Sequence, residues 1–132
     1  MTIDDVVAAA RVANQKIDRA TDTIGTQIGT IKTAAATVGR PLTVEETTTI
    51  TRLNAASEAL DDLSETLNAN TIQALNDNAR AKAYTDELEG AIGDLKTNVE
   101  TINSVAETVQ SITDALTTAA NVVKLLTDIF AL

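Results

Sequence analysis

From Leu53 onward, every seventh residue is aliphatic or alanine until the series closes on the chain's one phenylalanine: Leu53, Leu60, Leu67, Ala74, Ala81, Leu88, Leu95, Ile102, Val109, Leu116, Val123 and Phe130. A half-buried strand repeats its apolar face every second residue, so a seven-residue period kept up this long commits the chain to helices packed seam on seam. Coiled-coil-like, left-handed packing is the geometry that keeps such a seam facing its neighbour. A shorter seam precedes it through Ile3, Ala10, Ile17, Ile24, Ile31 and Val38, accompanied by Val7, Ile28 and Ala35. With one Phe, one Tyr and no Trp, the core between these seams has to be aliphatic.

Capping signals divide the pattern. Thr2 stands three residues before Asp5, and Thr43 three before Glu46, the spacing at which a hydroxyl and a carboxylate satisfy each other's backbone N–H groups at a helix start. Gly39-Arg40-Pro41 supplies a stop between them. The companion seam of the second half (Ala56, Leu63, Asn70, Asp77, Tyr84, Ala91, Asn98, Val105, Ile112, Ala119 and Leu126) is apolar at its ends and polar or small in the middle. Gly90 and Gly93 fall in that middle, and Thr97 with Glu100 repeats the capping spacing, so the pattern predicts a second turn over about 89–96. The expectation is an all-α, long antiparallel three-helix bundle with coiled-coil-like packing, one helical domain over 1–132 with helices at about 2–38, 43–89 and 97–130. Residues from Ala81 to Asn98 would project as a two-helix tip. Two alternatives compete: a continuous helix from Val44 to Phe130, which demands a partner chain, and a four-helix version broken at Asn68-Ala69-Asn70.

The absence of His and Cys removes imidazole and thiolate chemistry, disulfides and the commonest zinc ligands. Glycine-rich phosphate loops, EF-hand loops and nucleophile elbows are missing as well. The expectation is a chain that is not an enzyme, with no cofactor, no metal and no small-molecule substrate. A net charge of −9, with the ten Lys and Arg scattered from Arg11 to Lys124, argues against a nucleic-acid partner. The opening Met1-Thr2-Ile3-Asp4-Asp5 lacks the basic flank and apolar run of a secretory leader, and no stretch approaches the ~20 apolar residues of a spanning helix. The reading is a soluble chain, cytoplasmic or exported by another route, with its compartment undetermined.

Several features invite a sharper interpretation. Glu58, Asp61, Asp62 and Glu65 recur at helical spacing like paired carboxylates, but the flanking Leu60 and Leu63 occupy the seam and turn them toward solvent. Gly25 and Gly29 inside the first helix each cost ~1 kcal/mol relative to Ala, which close approach of a neighbouring helix would offset. The weakly charged stretch from Ala20 to Gly39 and the apolar C-terminal stretch from Ala115 to Leu132 are the two segments that could meet a bilayer, a reading that is not favoured. Partner-contact candidates are Arg80, Lys82 and Tyr84, which the hairpin expectation sets near its tip, and Leu125, Ile129 and Leu132, which widen the apolar stripe at the end of the last helix. For Tyr84 the competing reading is a half-buried filler.

In composition, rich in Ala, Thr, Ile, Asn and Asp and nearly devoid of aromatics, the chain resembles exported bacterial helical proteins such as needle, translocator and flagellar proteins and small helical-hairpin secretion substrates. The short Trp-x-Gly signature of one such group is absent. That resemblance implies an assembly protein and identifies no residue. The expected function is a non-enzymatic structural or protein-interaction bundle with a protein partner or self-association. The alternatives are a membrane-active, pore-forming or translocator-like protein, and an acidic inhibitor or immunity-type partner of a basic protein.

Overall fold

A computed structural model describes residues 2–102 and 105–132. Among them all regular structure is helical: α1 (Ile3–Thr37), α2 (Val44–Thr66), a single-turn α3 (Ala69–Gln73), α4 (Asn78–Glu100) and α5 (Ala106–Phe130). The four long helices pack together, where the spacing predicts three.

α1 begins and ends, and α2 begins, where their punctuation says. The Asp5 carboxylate accepts a hydrogen bond from the Thr2 N–H at 2.8 Å. At the other end Gly39 takes φ +67, the left-handed conformation that a side chain disfavours, and this lets the N–H groups of Gly39 and Arg40 donate to the carbonyls of Ala36 and Ala35 at 3.1 Å each. α2 then starts on a full capping box: the Glu46 N–H donates to the Thr43 hydroxyl at 3.1 Å and the Thr43 N–H donates to the Glu46 carboxylate at 3.0 Å.

The later boundaries differ from the expectation. α2 stops at Thr66 rather than near residue 89, because Asn68 and Asp77 start new helices. Their side chains accept from the N–H groups of Asn70 at 2.9 Å and Arg80 at 2.8 Å. The break expected over 89–96 does not exist. Gly90 and Gly93 sit on the exposed side of α4, and the Thr97 hydroxyl bonds back to the Gly93 carbonyl at 3.1 Å as an ordinary mid-helix threonine does. The chain turns instead after Glu100, so the expected helix over 97–130 is interrupted; residues 103 and 104 of that span lie outside the described residues.

Hydrogen bonds between helices establish their directions. Arg52 in α2 donates to the Thr101 carbonyl at 2.6 Å, whereas Tyr84 near the start of α4 donates to the Thr66 carbonyl at the end of α2, so α2 and α4 are antiparallel. Asn78 at the start of α4 donates to the Phe130 carbonyl at the end of α5 at 2.9 Å, and Ser64 late in α2 donates to Asn14 early in α1 at 2.9 Å. The result is an up-down-up-down arrangement in which α1 contacts α2 and α5, and α4 contacts α2 and α5. α3 lies against α1.

One continuous core runs through all of these elements, with Ile17, Leu53, Leu60, Leu88, Ile112 and Leu126 among its fully buried side chains. Each such residue contributes roughly 1.5–3 kcal/mol by leaving water. Ala81, Leu88 and Leu95 are buried along α4, so Ala81 to Asn98 is part of the bundle and forms no tip. The projecting element is the α1–α2 hairpin. Val105, at the α4–α5 connection, lies beside Gln27, Ile31 and Thr49, and the end of α1 continues past that level for about two turns.

Candidate functional site

The six candidate contact residues share one end of the bundle, because the Asn78–Phe130 hydrogen bond brings the start of α4 to the end of α5. They do not form one surface. Tyr84 is only 5% exposed and points inward, its hydroxyl donating to the Thr66 carbonyl at 2.6 Å. It satisfies a backbone acceptor that α2 leaves open at its end. Burial, reinforced by Glu87, raises the Tyr84 hydroxyl pKa above its ordinary value, so it remains a donor. Tyr84 is thus buried within the bundle, and the two-helix tip expected around it does not form. Arg80 and Lys82 are exposed and paired within their own helix, with Asp77 at 3.6 Å and Asp86 at 2.7 Å. Leu125 and Ile129 are half-buried against the core, and Leu132 is exposed.

At the opposite end, the α1–α2 turn is held by Arg40, whose guanidinium grips both oxygens of Glu46 at 2.6 and 3.2 Å. Those bonds, with the Thr43 N–H, hold the Glu46 carboxyl down at a pKa of about 2. Val38 and Val44 flank the turn and are 68% and 84% exposed.

Gly25 and Gly29 meet no neighbouring helix. A Cβ built at either has open space around it, which overturns close packing as the reason for these glycines. Glu58, Asp61, Asp62 and Glu65 split between exposed positions on α2, none of them in an ion pair among the described residues. No group of carboxylates among the described residues is arranged to hold a metal ion, and no described helix is long and apolar enough to cross a membrane.

The feature that the sequence reading missed is a groove of about 520 Å³ between α4 and α5. Its floor is Ile92, Val99, Ile102, Val109 and Leu116. Thr113, Thr117 and Ala120 form the α5 rim, and Lys96 and Glu100 stand on the α4 side. Ile92 and Val109 remain half-exposed, because α4 and α5 leave the seam between them incompletely covered on this side. Comparison with protein-family models, curated proteins and solved structures finds no match to this chain.

Proposed function

We propose that the chain is a non-enzymatic helical interaction module that works by self-association. The α4–α5 groove carries this reading: an apolar floor with small, uncharged residues along its α5 rim can accept a helix, and apolar surface left open on one face gains by being covered. Sedimentation equilibrium of the full chain from low micromolar to near-millimolar concentration tests it. The expected result is an average mass that climbs above the single-chain 13.8 kDa as concentration rises. A mass of 13.8 kDa at every concentration refutes it.

A separate observation favours a second reading, an acidic partner for a basic protein. Glu58, Asp61, Asp62 and Glu65 lie exposed on a single helix with no ion-pair partner among the described residues. Retention of a lysine-rich peptide that weakens steadily with added salt is the outcome expected of that face, and no retention at low salt rejects it.

A further inference from the structure

We infer that the occupant of the α4–α5 groove is the same groove of a second copy, related by a two-fold axis that crosses the groove face of α4 midway between Lys96 and Glu100, at the height of residue 98. This rests on the self-association reading above and adds the surface and its register.

Charge selects the face. Two copies each carrying −9 repel at long range, so a homotypic contact is favoured where the facing surfaces have no net charge. Among the residues lining the groove, Lys96 and Glu100 are the only ionisable ones, one of each sign. The acidic face of α2, by contrast, repels its own copy and suits only a basic partner.

The two charged residues are also self-complementary. They stand four positions apart on α4, and neither takes part in an ion pair among the described residues. Lys before Glu is the weaker order for a pair within one helix, which leaves both groups open to an outside partner. When two α4 helices run antiparallel across a two-fold at the height of residue 98, Lys96 of one copy faces Glu100 of the other, and the exchange repeats on the far side of the axis. The small side chains of Thr113, Thr117 and Ala120 on the α5 rim allow close approach.

Charge reversal on the full chain decides the matter, read by sedimentation equilibrium with helical circular dichroism to confirm folding. Lys96→Glu sets carboxylates against one another across the axis and is expected to raise the dimer dissociation constant at least about tenfold. Lys96→Glu combined with Glu100→Lys restores the opposite-sign arrangement and is expected to recover most of that loss. Ala120→Gln adds neutral bulk at an exposed rim position and is expected to weaken association without altering the charge. Association unchanged by both Lys96→Glu and Ala120→Gln overturns the groove while leaving self-association in place. A double variant no tighter than Lys96→Glu overturns the pairing across the axis. A single-chain mass for the unaltered protein at every concentration overturns both this inference and the reading on which it rests.

Discussion

Replacing glycines by alanine gives opposite results at two places in this fold. Gly90 and Gly93 lie inside α4, on its exposed side, and no atom of another part of the chain would come within 4 Å of a Cβ at either. A helical glycine costs about 0.5–1 kcal/mol relative to alanine, largely through the extra freedom of the unfolded chain, and here no packing returns that cost. Gly90→Ala and Gly93→Ala should therefore each stabilise by about 0.5–1 kcal/mol, and the pair by about 1–2 kcal/mol. For a chain of this size the double variant should melt roughly 3–8 °C higher. Gly39 also has room for a Cβ, but its φ of +67 places an L-residue in the left-handed region, so Gly39→Ala should destabilise by about 1–2 kcal/mol. Urea and thermal unfolding, followed by circular dichroism at a concentration where the chain is single, would report all three. A lower melting temperature for Gly90→Ala with Gly93→Ala would refute the reasoning, since it would mean that the chain turns, or is closely packed, where α4 is placed.

Two further outcomes follow from named side chains. Among the described residues the buried hydroxyls of Thr85 and Thr108 have no hydrogen-bond partner, so Thr85→Val and Thr108→Val, which keep the shape and remove the hydroxyl, should each leave stability equal or raise it by about 1 kcal/mol in urea unfolding; a loss above about 1 kcal/mol would show that the hydroxyls are bonded. The Glu46 carboxyl is held below its ordinary pKa of 4.5 at about 2, so its contribution to the α1–α2 turn is full above pH 4.5 and falls away as pH drops through about 2. Titration of that carboxyl by NMR should give a midpoint well below 4.5, and Arg40→Ala should move it back up; an unshifted midpoint in the unaltered chain would refute the ion pair.

The buried faces were legible because burial follows periodicity. Leu53, Leu60, Leu67, Ala81, Leu88, Leu95, Ile102, Leu116 and Val123, all on the seven-residue series, are buried. The series alone does not show the breaks, since its spacing carries from α2 through α4 into α5; the first break was signalled separately by Asn68-Ala69-Asn70, where the four-helix alternative set it. Gly90 and Gly93 looked like a stop, yet about 1 kcal/mol per exposed glycine is outweighed by burying Leu88 and Leu95 on the same helix. The true break was written in Asn68 and Asp77, whose side chains compete for backbone N–H groups, and in residues of the same kind around them. Between Glu100 and Ala106 the sequence has no Gly or Pro to mark the end of α4. Tyr84 is buried where a projecting tip was expected because α4 packs along the bundle instead of extending past it. The groove was illegible because a seam identifies which residues face a neighbour and not how far apart the two helices stand.

The cyclic order of the helices has a kinetic consequence. Contacts of α1 with α2, α2 with α4 and α4 with α5 join neighbours along the chain and close short loops, whereas α1 against α5 joins its two ends. Loop-closure entropy delays that last seam relative to the hairpins, which form on the microsecond scale. Folding speed is then governed by how readily the string of hairpins closes to pack α5 on α1, and substitutions along the α1–α5 seam should slow refolding only to the extent that this closing step already uses their contacts.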